Sequence, residues 1–208
     1  MACFLGRVLT LAYTRAAANV CWGLAASVLW SGMTSTVALA GPLADLGTEA
    51  DTLIDKGDGL AAYEKLRQSM AKASEKIPFD IRKAFFVSEK PVIFGNYARV
   101  ASNEFPVGSS LITYAEPVGL SWKPADGAQV QSQFTVDFEL RNPAGEVLAV
   151  QKAFGNFKIT SREPLFEIST PLTLDVSAVP AGDYVLKYTF NDMNSKKTSD
   201  IEQTFKLK

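Results

Sequence analysis

The chain reads as mainly β with a short helical preface. Three patterns say so. Apolar residues recur three and four apart between residues 41 and 86. Apolar and polar residues alternate strictly over several stretches between 87 and 208. Turn-forming residues separate those stretches.

Residues 1–40 belong to neither pattern. Arg7 and Arg15 are their only charges, and no residue from Ala16 to Ala44 is charged. An apolar run, Val20 to Trp30, is followed by small and polar residues and then by Val37-Ala-Leu-Ala-Gly41. Ala38 and Ala40 supply the A-x-A pattern of a signal peptidase site, so this segment is expected to be a secretory signal cleaved after Ala40. An uncleaved anchor needs about 20 continuously apolar residues, and Ser31-Gly-Met-Thr-Ser-Thr36 dilutes this one. Ala18-Asn-Val20 is a poor lipobox for Cys21, and there is no twin-arginine pair. The expected destination is the periplasm or the exterior, with no membrane insertion once the signal is gone.

Cleavage changes the available chemistry. Cys3 and Cys21 leave with the signal, and the chain has no histidine. Disulfides, thiol nucleophiles, His/Cys zinc sites and histidine bases are then all excluded. No cofactor and no metal are expected. A net charge of −1 gives no reason to expect nucleic acid as a partner.

Residues 41–86 form the helical segment. Leu46, Ala50, Leu53, Ile54, Leu60, Ala61, Tyr63, Leu66, Met70, Ala73 and Ile77 carry the helical spacing. Gly57-Asp-Gly59 divides the segment into two helices, Pro78 ends the second, and Phe79 to Phe86 reads as a short third. Residues 87–208 form the β domain. Alternation is plain at Phe134 to Arg141, Phe166 to Leu174, Tyr184 to Phe190 and Ile201 to Leu207. Further strands are expected at Val92 to Val100, Leu111 to Ala115, Gly119 to Trp122 and Val147 to Phe154. Turns fall at Pro124-Ala-Asp-Gly127, Asn142-Pro-Ala-Gly145, Pro180-Ala-Gly182 and Asn191-Asp-Met-Asn194. Seven or eight short strands in about a hundred residues predict an immunoglobulin-like antiparallel β-sandwich. Tyr184, just after Pro180-Ala-Gly182, sits where such domains place a tyrosine whose phenol closes onto nearby backbone.

Two resemblances accompany this reading. Gly57-Asp58, Ala62-Tyr63 and Pro78 resemble one tetratricopeptide unit, although about three stacked units are needed for a solenoid. The layout of the β segment runs through Gly95-Asn-Tyr97, Phe105-Pro-Val-Gly108, Tyr114-Ala-Glu-Pro117, Asn142-Pro-Ala-Gly145 and Pro180-Ala-Gly182. It is similar to that of exported proteins of Gram-negative bacteria, rhizobia among them. In those a short helical part precedes one sandwich domain of the fibronectin-III type. The resemblance implies fold and location, and no activity.

The candidate site residues are few. Glu116 is a candidate carboxylate at the end of a strand-like stretch, with Tyr114 two positions before it and Trp122 six after as possible ligand contacts. A glycosidase pair with Asp137 or Glu139 needs a cleft that separates the two pKa values. Asp137 and Glu139 fall on the wet face of an alternating strand, and Pro117 reads as a strand stop that leaves Glu116 exposed at the end. An aromatic platform of Phe105, Tyr114 and Trp122 competes with burial of the same residues in the core. Ser69-Met-Ala-Lys72 has the spacing of a serine–lysine nucleophile, but its partner motifs are missing. Asp55 to Asp58 and Asp192 to Asn194 lack the closing glutamate of a calcium loop and read as turns. Lys187, Lys196, Lys197, Lys206 and Lys208 suit an edge that resists strand pairing. The expectation is therefore a non-catalytic binding or scaffolding protein of the cell envelope, acting on a protein partner. The alternative is a carbohydrate-binding or carbohydrate-active protein using Glu116, Tyr114 and Trp122.

Overall fold

The computed structural model describes residues 41–208. The expected signal, with Ala38 and Ala40, lies outside them. Helices α1 (Pro42–Asp55) and α2 (Gly59–Ser74) form an antiparallel hairpin. Pro42 suits the first turn of α1, where its missing N–H removes no hydrogen bond. Gly57, at φ +79°, reverses the chain, and Asp58 caps α2 by accepting the Ala61 N–H at 3.1 Å. Asp55 to Asp58 is thus a turn, as its residues predict. Only Leu46, Ala50 and Ala62 are buried among the helical residues. The hairpin holds together on a small seam, with an ion pair between Lys65 and Glu49 at 2.5 Å beside it.

Nine strands follow: β1 (Asp80–Val87), β2 (Glu104–Phe105), β3 (Ser110–Val118), β4 (Lys123–Ala125), β5 (Gln129–Arg141), β6 (Val147–Ser161), β7 (Thr170–Asp175), β8 (Gly182–Asp192) and β9 (Thr198–Leu207). One sheet has the order β1-β3-β7. The other runs β2-β9-β8-β5-β4, with β6 also paired to β5. Every pairing is antiparallel except that of β2 with β9. Phe86, Leu111, Leu172 and Leu174 from the first sheet meet Phe134, Val136, Leu186, Tyr188 and Phe190 from the second in one core. The Tyr184 hydroxyl donates to Pro180 O at 2.8 Å, closing the start of β8 onto the preceding turn.

Several expected elements differ. The third helix expected over Phe79 to Phe86 is absent: Asp80–Val87 is strand β1, so the segment boundary expected at 86/87 falls inside it. The ladder pairs Ile81 with Pro117 and Lys83 with Glu116, leaving Arg82 as an extra residue in a bulge. That insertion breaks the two-residue period expected of a plain strand. Val92 to Val100 is a loop, with only Arg99 bridging back to Val87. Gly119 to Trp122 lies before β4: Gly119 has φ +68°, and a β-carbon there would sit 2.4 Å from Pro78 O. The strand expected from Phe166 begins only at Thr170.

Candidate functional site

Glu116 is not exposed. Strand β3 continues through Pro117 to Val118. Its pairing with β7 ends at Ala115, so Pro117 lies beyond the central part of the ladder, where a missing N–H is tolerated. Glu116 is 1% exposed. Its Oε1 accepts the Tyr114 hydroxyl at 2.8 Å and lies 3.7 Å from Lys83 Nζ, and its Oε2 meets the Arg82 guanidinium at 2.5 Å. The β1 bulge delivers both cations to this one carboxylate. A charge this deep is tolerable only with such partners.

Tyr114 is fully buried as well, which removes it from any exposed platform. Burial pushes its phenol pKa up. Its oxygen also accepts the Gly95 N–H at 3.1 Å, which pins the loop after β1 across the outer face of β1 and β3. Tyr97 of that loop packs against Phe85 and Tyr114, each with ring centres 4.7 Å away. Phe105 is half-buried in the core, edge-on to Phe86. Trp122 is half-buried and packs against the same core.

Glu116 and Trp122 do share a feature that the sequence did not reveal. A groove runs between α2 and the segments 117–122 and 164–168. At one end a cavity of about 260 Å³ is lined by Met70, Arg82, Phe94, Glu116, Phe166 and Ile168. Met70 and Phe166 also line a narrower part of about 90 Å³, which reaches Ile77, Leu165 and Trp122. Beyond Trp122 it opens into about 380 Å³ beside Ser74, Leu120 and Lys197. Met70, Ile77 and Leu165 are each 42 to 52% exposed along this line, as is Leu66 on α2. An ion pair between Arg67 and Glu163 ties α2 to the opposite wall.

The groove offers apolar contact and little reactive chemistry. Glu116 is held by its own chain, through the Tyr114 hydroxyl on Oε1 and the charges of Arg82 and Lys83. Asp137 and Glu139, its suggested catalytic partners, belong to β5 in the other sheet. Asp137 accepts Lys152 Nζ at 2.9 Å and the Ala153 N–H at 2.7 Å, while Glu139 pairs with Arg141. Asp192 is buried at the end of β8, and its oxygens accept from the Ser121 N–H, the Asn194 N–H and the Ser195 hydroxyl. It is a turn anchor, as read from the sequence. Among the described residues no group of three or more His, Cys, Asp or Glu side chains is placed to hold a metal ion. No described helix is long and apolar enough to cross a membrane. A larger depression of about 500 Å³ lies elsewhere, beside Asn103, Asp183 and Lys206, and its Glu104 is paired with Lys208 at 2.6 Å.

Met70, Leu165 and Phe166 were not singled out from the sequence as site residues. Their signal was an apolar residue on the outer side of α2 and a consecutive apolar pair directly after Pro164. No family model matches the chain, and neither does any curated protein. Among solved structures, one similar to it is Spo0M, a sporulation control protein from Bacillus subtilis. The two share 7% identity over 64% of this chain at a TM-score of 0.33, a likeness too slight to carry an argument. The match spans half of that structure's length.

Proposed function

We propose that this chain is an exported, non-catalytic binding protein of the bacterial cell envelope, periplasmic or secreted, that engages a protein partner through the groove along α2. The observation that carries the reading is the row of partly exposed apolar side chains, Met70, Ile77, Leu165 and Phe166, that lines the groove. Exposed apolar residues gathered in one concave seam are what a partner's side chains would cover. An immunoglobulin-like sandwich is the fold proposed for the β domain. In its support, β1-β3-β7 faces β9-β8-β5-β6, β2 runs parallel to β9, and Tyr184 closes onto Pro180 O at the start of β8. The carbohydrate reading gains no support, because Glu116 is sealed and Trp122 is half-covered. The test is crosslinking of tagged full-length protein in living cells. One envelope protein captured reproducibly from a probe at Met70 supports the reading, and capture of glycan alone contradicts it.

A further inference from the structure

The loop after β1 carries two aliphatic side chains that the groove does not explain. Val92 is 92% exposed and Ile93 63% exposed. They occupy the tip of a loop whose neck is closed: the Ser88 N–H donates to Ala98 O at 2.9 Å. The tip itself is held from beneath. Phe94 lies under the Arg82 guanidinium at 5.9 Å, the Gly95 N–H is bound by Tyr114, and Tyr97 is wedged between Phe85 and Tyr114. The loop is tied down at its neck and base and presents two bare aliphatics, with aromatic rings packed beneath them.

Cations surround that layer. Lys83 lies 5.9 Å from the Tyr97 ring and Arg99 lies 4.9 Å from that of Phe85. Arg82 is half-exposed and Lys90 is exposed. Of the carboxylates nearby, Glu116 is buried beneath the loop, Glu89 stands at its neck, and Glu167 lines the cavity that Phe94 shares. Cations flanking an aromatic layer beside a bare aliphatic pair are complementary to an anionic lipid surface, which offers headgroup phosphates, an interfacial zone and hydrocarbon.

We propose that this loop docks the protein on an anionic phospholipid surface, with Val92 and Ile93 entering the acyl boundary and Lys83, Lys90 and Arg99 meeting headgroup phosphates. The contact is peripheral and needs no spanning segment. A net charge of −1 for the whole chain does not show this patch, because Lys83, Lys90 and Arg99 are a local group among 21 basic residues balanced by 22 acidic ones.

The test places a photoreactive p-benzoylphenylalanine at position 92 of the full-length chain, with position 147 on β6 as control. The apolar run from Val20 to Trp30 is common to both proteins and cancels in the comparison. Each is illuminated with phosphatidylglycerol–phosphatidylethanolamine vesicles and with phosphatidylcholine vesicles, and adducts are mapped by mass spectrometry. The expected result is a phospholipid adduct at 92 and none at 147, several-fold weaker on phosphatidylcholine or in high salt. Ile93→Asp should lower it about tenfold, because one aliphatic side chain no longer leaves water. Should circular dichroism show that Ile93→Asp is misfolded, Lys90→Glu replaces it and must weaken the adduct on anionic vesicles. Equal adducts at 92 and 147, no lipid adduct at 92, or equal yield on both vesicle types would overturn the proposal.

Discussion

At the scale of single residues, two buried carboxylates set the local chemistry. Glu116 depends on Arg82, which is itself half-exposed, so water screens part of their attraction. Arg82→Ala leaves Lys83 as the remaining counter-charge, and a loss of about 2 kcal/mol in urea unfolding is expected. Glu116→Ala with Arg82 intact should cost less than a deep charge left alone, because the guanidinium can turn to solvent. Asp192 is satisfied differently. Burial pushes its pKa up, but the Ser195 hydroxyl and the N–H groups of Asn194 and Ser121 outweigh that and hold it below the ordinary value of 3.8. Asp80 is lowered as well, by the Ser199 hydroxyl and the Ile81 N–H. A carboxyl with a depressed folded pKa adds stability that is fully present above its unfolded value. That stability is lost as the pH falls through the folded value. The urea midpoint should therefore stay level from neutral pH to about 5 and fall below about 4. Asp192→Asn should be less stable at neutral pH and show a shallower acid decline. An unchanged acid limb in that variant would remove Asp192 from the account.

At the scale of elements, the contacts at Gly119 join the hairpin's exit to the turn after β3. A β-carbon at Gly119 meets Pro78 O at 2.4 Å and Ile77 O at 2.9 Å, and the residue's φ is +68°. Gly119→Ala should cost about 2 to 4 kcal/mol, measurable as a lowered thermal midpoint. The Tyr184 hydroxyl makes one hydrogen bond to Pro180 O, so Tyr184→Phe should cost about 1 kcal/mol. How far these elements were legible depended on their period. Strands β5, β8 and β9 alternate cleanly, and the turn residues between the strands were in place. Strand β1 was hidden because the Arg82 bulge shifts its period. The loop at Val92 was read as a strand because three consecutive apolar residues look the same whether they are buried in a sheet or held on a tip. Glu116 was misplaced because Pro117 reads as a stop, while in the fold it lies past the end of the β7 pairing. The groove was not legible at all, since it is made by packing α2 against two segments distant from it and from each other in the chain.

At the scale of the whole molecule, stability is unevenly distributed. The β domain has one continuous core drawn from both sheets, whereas the hairpin buries three residues and leaves Leu60, Tyr63, Leu66 and Met70 exposed. Hydrogen exchange should accordingly be fast in α1 and α2 and slow in β5 and β8, with the helical amides opening well below the global unfolding free energy. Uniform protection would mean the hairpin is part of the same cooperative unit. A loosely seated hairpin also gives the groove a wall that a partner can tighten on binding. The most direct test compares in-cell capture by full-length wild type with that by Met70→Asp, which puts a charge at the groove's centre on an exposed helix position. If the groove binds a protein partner, Met70→Asp should accumulate normally and lose the captured protein by tenfold or more, on the order of one well-packed apolar anchor. Capture undiminished by Met70→Asp would contradict the assignment of the groove as the binding surface.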